Sequence, residues 1–256
     1  MRGKLWRKIL VFFVTLIFLA GFLIAAFPYI YGVLVDYEIN MEAVSFLESQ
    51  DDISTPSEPM DGDVPEESLP EQIADAPKYP ELREAMEAYN KVIYEQGQSG
   101  LSCEYNYQQP SFLLSDYGLN SEIFGVISIP AMDLEMPIYL GATNQHMADG
   151  AAHMSQTSLP IGGSNTNCVI AGHRGYSGAS YFRYIEKLQV DDYVSITNLW
   201  ETLRYRVAEI KIIDPYDVEE ILIQEGRELL TLLTCHPYAS GGRQRYVVYC
   251  ERVYNG

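Results

Sequence analysis

The chemistry available to this sequence centres on Cys235, in the stretch TLLTCHPY. His236 follows it directly, but neighbouring side chains on a strand project to opposite faces, so His236 is poorly placed to activate the thiol. Two other histidines, His146 and His153, fall in the stretch NQHMADGAAHM, where a surface or packing role is expected. His173 instead ends the run NCVIAGH, at a strand-to-loop boundary where rigid scaffolds present reactive groups. His173 is therefore the better candidate partner.

Arg245 completes a candidate catalytic group. It opens the strand-like run RYVVYCERV, shortly after the loop that leaves Cys235. A thiolate is stabilised by a nearby cation, and acyl transfer requires hydrogen-bond donors for its oxyanion. A guanidinium stays charged and presents several donors. A cysteine, a histidine and an arginine at strand ends thus predict covalent catalysis by a thiol.

Spacing alone leaves three other interpretations open. A hydrolytic cysteine peptidase would use the same thiol but would be indifferent to added amines. A metal site at Cys235 and His236 is disfavoured, because adjacent ligands on a strand diverge and no further cluster supports them. A noncatalytic adhesion module would bury Cys235. The sequence shows no phosphate loop or dinucleotide fingerprint, so neither a cofactor nor a metal is expected.

The elements that must hold these residues are mostly short strands. Seven β-branched or aromatic runs are separated by turn signals: IFGVISIP, EMPIYLGA, NCVIAGH, DYVSIT, TLRYRVAEIKII, LLTLLTC and QRYVVYCERV. Helical turns are expected over NQHMADGAAHM and SYFRYIEKL. Many short strands with few long helices favour a closed or nearly closed β-barrel over a parallel sheet with crossover helices. We assign residues 122–256 to this barrel domain.

The amino terminus predicts a membrane anchor over residues 9–35. This segment has no charged residue and is longer than the roughly 20 residues that a helix needs to cross a bilayer. Residues 1–8 contain four Lys or Arg, and acidic residues follow the anchor. The positive-inside rule therefore leaves residues 1–8 in the cytoplasm and the domain outside the cell. A cleaved signal peptide is the alternative, because LIAAF offers small residues at a cleavage site.

Two segments connect the anchor to the barrel. Residues 36–78 hold 13 acidic side chains and one lysine, together with several prolines, so a disordered stalk is predicted. Residues 79–121 are predicted to form an amphipathic helix and then a lid-like connection over 97–121. The apolar positions of the helix recur at helical spacing: Leu82, Met86, Tyr89 and Ile93.

The net charge and the cysteine content exclude one class of function and bear on the disulfides that are possible. The formal charge of -18 excludes a general nucleic-acid binder, which needs a basic face. An even number of cysteines in an exported chain is compatible with disulfides, but the four present here are widely spaced. Cys168 and Cys250 fall in apolar runs and are expected to be buried thiols. A disulfide involving Cys103 is left open.

The ordered set of these motifs resembles the sortase transpeptidases of Gram-positive cell surfaces. TLLTC followed by a strand-opening arginine, with GHRG at the end of an earlier strand, carries the resemblance. The stretch AAHMSQTSLPIGGSNTNCVIAGHRGYSGASYFRYIEKLQVDDYVSI is similar to class C, the pilin-polymerising branch. The resemblance covers about residues 80–256. It implies a closed eight-stranded sortase-type β-barrel.

The resemblance also implies a role for each catalytic candidate. Cys235 would be the nucleophile, His173 the general acid, and Arg245 the clamp for oxyanion and substrate. The acyl donor would be an LPxTG-like sorting signal of a pilin or surface protein, cleaved at its Thr. The acceptor would be an amine, most simply a pilin lysine and alternatively a cell-wall precursor.

Substrate-binding residues are expected beside the nucleophile. Thr234 would help to orient the signal, and Ile221, Leu222 and Ile223 would line an apolar slot for its Leu-Pro part, although core packing explains these three equally well. Many class C enzymes carry an Asp-Pro-aromatic lid motif before the first strand. The only such motif here, DPY at 214–216, lies elsewhere, so no lid anchor is assigned.

Overall fold

The computed structural model describes residues 2–54, 78–102 and 104–254. The helices are α1 (Arg2–Ser54), α2 (Pro80–Glu95), α3 (Glu104–Gln108) and α4 (Asn144–Asp149). The strands are β1 (Ile123–Ile129), β2 (Leu134–Leu140), β3 (Ala151–His153), β4 (Thr166–Ala171), β5 (Tyr193–Asn198), β6 (Thr202–Ile213), β7 (Glu228–His236) and β8 (Gln244–Arg252). Short 3₁₀ turns lie at Leu114–Tyr117, Pro130–Met132, Ile185–Lys187 and Val218–Ile221.

The strands close into a barrel in the order β1-β2-β3-β4-β7-β8-β6-β5. The pairs β2–β3 and β4–β7 are parallel, and the other pairs are antiparallel. The expected closed eight-stranded barrel is confirmed. Its eighth strand, β3, falls in the stretch where the sequence predicts only a helical turn. Three residues, Ala-Ala-His, are too short and too weakly β-branched to signal a strand, and β3 forms because β2 and β4 flank it.

Alternating burial orients the strands toward the barrel core. In β6 the buried residues Leu203, Tyr205 and Val207 alternate with exposed neighbours. β4 is buried along its whole length. Its residues Cys168 and Ile170 belong to the central core, whereas Val169 and Ala171 pack in a second cluster that contains Leu101. The segment after α2 therefore covers the outer face of β4.

Helix α1 continues through the predicted stalk onto the barrel wall. The prediction of a disordered stalk over 36–78 is wrong for residues 36–54, which are helical, and residues 55–77 lie outside the described residues. The reason is an apolar stripe at helical spacing: Ile39, Ala43 and Phe46 are buried against the barrel, where α1 contacts β1 and β2. The earlier part of α1 is long and apolar enough to cross a membrane.

Helix α2 matches the predicted amphipathic helix. It begins at Pro80, and its residues Leu82, Met86 and Ile93 are buried. The connection that follows contains α3 and one 3₁₀ turn and is otherwise irregular. Gln98 fastens it to the barrel: its Nε2 donates to the carbonyl of Gln156 at 3.0 Å, and its Oε1 accepts from the amide of Ile223 at 2.6 Å.

Candidate active site

Cys235 and Arg245 lie opposite each other on neighbouring strands. The antiparallel register of β7 and β8 pairs the two residues directly, so their side chains share one face. The loop between the strands brings Gly242 over both of them. A Cβ on Gly242 would lie 3.1 Å from Sγ of Cys235 and 3.1 Å from Nη1 of Arg245. A side chain at this position would therefore intrude between the thiol and the guanidinium.

The guanidinium of Arg245 is held by backbone carbonyls of its own loop. Nη1 donates to the carbonyl of Gly242 at 2.7 Å and to that of Gln244 at 3.2 Å. Among the described residues, no carboxylate forms a salt bridge with it. Its charge is therefore available to a thiolate or to an oxyanion in front of it.

His173 faces the same cleft from the neighbouring strand. β4 runs parallel to β7, and the amide of Gly172 donates to the carbonyl of Leu233 at 3.1 Å. The C-terminal ends of the two strands therefore lie side by side. His173, Cys235 and Arg245 all line one cavity of about 320 Å³. The three residues that the sequence predicts as catalytic thus meet at one mouth of the barrel.

Two tyrosines surround the imidazole of His173. The ring of Tyr176 stacks on it at 4.6 Å and 19°, and Tyr181 meets it edge-on at 5.9 Å and 85°. This partial burial lowers the pKa of His173, because the charged imidazolium loses hydration. The imidazole is therefore mainly neutral at pH 7, and its acidic form gains population as the pH falls.

His236 faces Arg174 and not the thiol. Nη1 of Arg174 lies 2.8 Å from Nδ1 of His236, and because arginine can only donate, the imidazole accepts. The same Nη1 reaches the carbonyl of Cys235 at 3.5 Å, while Nη2 pairs with Glu186 at 2.7 Å. Arg174 therefore supports the backbone behind the thiol, and Glu186 compensates its charge. No sequence pattern indicated this support, because Glu186 belongs to the turn Ile185–Lys187 and His236 to the end of β7.

Comparison with known proteins identifies the family. A family model described as the sortase domain matches residues 127–253. The solved structure of a pilus-related sortase C of Group B Streptococcus is 31% identical, and the alignment covers 70% of this chain and 91% of that one with a TM-score of 0.61. This chain belongs to the sortase family. The structure of sortase C1 of GBS pilus island 1 is similar as well, at 29% identity, a TM-score of 0.63 and coverage of 70% and 90%.

Curated sortases of other classes match over a shorter length. Sortase D of Bacillus subtilis is 29% identical over 131 residues, which are 50% of this chain and 63% of the relative. Sortase A of Streptococcus agalactiae serotype III is 31% identical over 137 residues, 52% of this chain and 53% of the relative. The chain therefore spans less than two thirds of the length of these two relatives.

The apolar wall of this sortase cleft matches the predicted groove residues only in part. Ile221 lines the cavity and is buried. Leu222 and Ile223 lie beside the cavity without lining it: the carbonyl of Leu222 accepts from Asn167 at 3.3 Å, and the amide of Ile223 donates to Gln98. The other apolar lining comes from residues that sequence reasoning missed: Leu101, Tyr107, Met147, Met154, Ile213 and Leu233.

Thr234 joins β7 to the end of β4. Its hydroxyl donates to the carbonyl of Gly172 at 2.7 Å, and the side chain is buried although the residue borders the cavity. This bond ties the residue before Cys235 to the residue before His173. Its expected part in orienting a bound signal stays a prediction.

The cysteines of the described residues differ in exposure. Cys168 and Cys250 are buried in the barrel core, as expected, and burial raises the pKa of both thiols. Cys235 is half-buried and opens into the cavity. Cys103 lies outside the described residues, and so does the disulfide left open for it.

Proposed function

We propose that this sortase is a membrane-anchored cysteine transpeptidase that cleaves an LPxTG-like sorting signal at Thr and transfers the acyl group to an amine. The observation that carries the proposal is the direct pairing of Cys235 with Arg245, with His173 on the same cavity. A thiol, a proton-transfer group and an uncompensated cation are the groups that acyl transfer through a thioester requires.

Acylation uses the three side chains in sequence. The thiolate of Cys235 attacks the Thr carbonyl carbon, and the guanidinium of Arg245 stabilises the oxyanion that forms. The tetrahedral intermediate collapses, the C–N bond breaks, and His173 gives a proton to the leaving amine. The product is a thioester on Cys235 and a released peptide with a free amino terminus.

Transfer runs the same steps in reverse with a new amine. The acceptor nitrogen attacks the thioester carbonyl, gives a proton to His173 and displaces the Cys235 thiolate. Water competes with the amine at this stage. The apolar lining of the cavity, which includes Leu101 and Met154, limits the water that reaches the thioester.

A pilin lysine is the acceptor that we favour, because the similar solved structures are class C sortases and one is a pilus-related enzyme. Attachment of surface proteins to the amine of a cell-wall precursor is the second candidate, since curated sortases of other classes match the chain as well. Hydrolysis alone, as in a cysteine peptidase, is the third. The apolar part of α1 supports a catalytic domain outside the membrane, with residues 1–8 in the cytoplasm.

The test is a transfer assay on the full chain in detergent. An LPxTG peptide is incubated with a lysine-bearing pilin domain, with a short glycine peptide, or with neither, and mass spectrometry identifies the products. We expect an amide joining the Thr carboxyl group to the lysine, and a trapped thioester at Cys235 when no amine is present. Cys235→Ala is the inactive control.

The products discriminate among the candidates. Joining to the glycine peptide in preference to the pilin lysine would indicate attachment to the cell wall. Hydrolysis at a rate that added amines do not change would indicate a peptidase. Thioester formation at a cysteine other than Cys235 would overturn the proposed site.

A further inference from the structure

Helix α1 contacts the loop that follows the candidate catalytic histidine. The carboxylate of Asp36 accepts from the amide of Ser180 at 2.7 Å and from its hydroxyl at 3.0 Å. Gly178 packs directly on the helix: a Cβ there would lie 2.4 Å from the carbonyl oxygen of Pro28 and 3.3 Å from Cα of Gly32. The loop carries Tyr176, which stacks on His173. The cleft is therefore fixed to α1 near the end of its apolar run.

The position of this contact along α1 shows where the loop that contains Gly178 lies relative to a bilayer. The apolar run begins at Ile9, and about 20 helical residues span the hydrocarbon core of a bilayer. With Lys8 at the cytoplasmic boundary, the outer boundary falls close to Pro28. Gly178 touches α1 at Pro28 and Gly32, so its loop lies at the level of the lipid headgroups.

Exposed tyrosines and a cation lie on the loops beside this contact. We define the tyrosine rim as Tyr176, Tyr238 and Arg183. Its two tyrosines are 47% and 49% exposed. Cζ of Arg183 lies 4.8 Å from the ring of Tyr238. The rim is continuous with the cleft, because Tyr238 lies over Gly175 and Tyr176 covers His173.

This composition fits a lipid surface. Tyrosine rings are enriched at the membrane–water interface, and long basic side chains extend from there to the headgroups. The full chain carries a formal charge of -18, so an acidic protein approaches an anionic surface most easily through a basic edge. Glu186 lies within this stretch, but it is paired with Arg174. The guanidinium of Arg183 therefore remains available to phosphate groups.

We propose that the tyrosine rim rests in the headgroup layer of the outer leaflet, so that lipid covers one side of the cleft. The inference depends on the proposed function only for the anchoring of α1 in the membrane. Substrates then enter from the opposite wall, where Pro215 and Asp217 line the cavity. That wall follows β6, which lies three strands from β4 around the closed barrel.

Tryptophan fluorescence in vesicles tests the position of the rim. The full chain with Trp6→Phe is reconstituted into anionic vesicles whose lipids are brominated close to the headgroup. Tyr176→Trp and Tyr238→Trp each add one probe in the rim, and the emission of the parent Trp6→Phe chain, whose tryptophan is Trp200, is subtracted. Tyr216→Trp is the matched control, because Tyr216 is 89% exposed and lies on the opposite wall of the cleft. Trp200 serves as a native control near the far end of the contact between α1 and the barrel, where it packs in the cluster that contains Phe46.

We expect quenching at positions 176 and 238 to exceed that at 216 and at Trp200 by about twofold or more, because the interface holds the rim. Two rim positions are probed because Tyr176→Trp alone would alter the stacking on His173. Equal quenching at all four positions would overturn the inference, and so would stronger quenching at 216. Quenching does not require catalysis, so an absence of transfer activity would overturn the proposed function without affecting this result. Failure of the protein to float with the vesicles would overturn the anchor itself.

Discussion

The two ends of the β7–β8 pair place an arginine in opposite electrostatic situations. At the far end, Nε of Arg252 lies 3.0 Å from Oε1 of Glu228, and their side chains are only 13% and 6% exposed. The hydroxyls of Tyr205 and Tyr254 donate to the same carboxylate at 3.3 and 2.6 Å. At the cleft end, Arg245 has only carbonyls of its own loop as partners among the described residues.

The difference is whether a carboxylate neutralises the charge of the arginine. The charge of Arg252 is paired with a buried carboxylate, so it is unavailable to a ligand, and its removal would leave that carboxylate uncompensated. The charge of Arg245 is oriented by neutral dipoles and remains directed toward Cys235. The same residue type on the same strand thus has a paired charge at one end and a charge available to a ligand at the other.

The largest expected effect is the loss of the nucleophile. Cys235→Ala should abolish transfer and the thioester, because the other described thiols are buried and their pKa values are raised. Alkylation of the folded protein followed by peptide mapping should modify Cys235 and spare Cys168 and Cys250. Rapid modification of Cys250 in the folded protein would contradict the burial described here.

Arg245→Gln removes the guanidinium at the cleft end of the β7–β8 pair. We expect kcat/KM to fall by roughly 10² to 10³, the usual cost of removing one oxyanion donor, with an unchanged free energy of unfolding. Arg243→Gln is the matched control, since it removes an exposed arginine from the same loop and should have little effect. Equal losses in the two variants would show that general charge, and not the pairing with Cys235, is what matters.

Arg252→Gln removes the guanidinium at the far end of the same strand pair. It leaves Glu228 buried without its cation, so the free energy of unfolding should fall by about 3 kcal/mol. Urea denaturation in detergent measures this change. The enzyme that remains folded should retain its kcat/KM. A catalytic loss as large as that of Arg245→Gln would contradict the division between the two ends.

The smallest expected effect concerns the protonation of His173. Its pKa is lowered by burial under Tyr176 and Tyr181, so Tyr176→Ser should raise the pKa toward the ordinary value of 6.5. The imidazolium would then appear at a higher pH as the solution is acidified. Nuclear magnetic resonance titration of His173 in the Cys235→Ala background measures the midpoint. Tyr184→Ser, which alters a tyrosine farther along the same loop, should leave it unchanged.

Most of the barrel, and the position of Cys235 and Arg245 at one cleft, could be predicted because their signals are local. The runs that became β6, β7 and β8 are β-branched and bounded by turns, and the cysteine and arginine lie at strand ends. β3 carried no such signal. Residues 36–54 misled prediction because their acidic composition outweighed a stripe of only three apolar residues, Ile39, Ala43 and Phe46. That stripe becomes decisive only once β1 and β2 provide a surface to bury it.

The support of the site could not be predicted, because it depends on contacts between distant segments. Arg174 follows His173 in sequence, but its partners are Glu186, in the turn Ile185–Lys187, and His236, at the end of β7, and only folding brings them beside it. The apolar lining has the same origin, since Leu101 and Met154 meet only when the segment after α2 crosses β4. Likewise, a run of three apolar residues at 221–223 does not reveal that only the first borders the cavity.

Helix α1 continues without a break from its apolar run onto the barrel wall, so it fixes the distance between that run and the cleft. Because Asp36 and Ile39 hold the helix against the barrel, the domain cannot change this distance. A substrate must therefore be long enough to extend from its own point of attachment to the cleft. Each residue between its reacting group and its own point of attachment adds at most about 3.5 Å. The length of that spacer should decide which partners can be coupled.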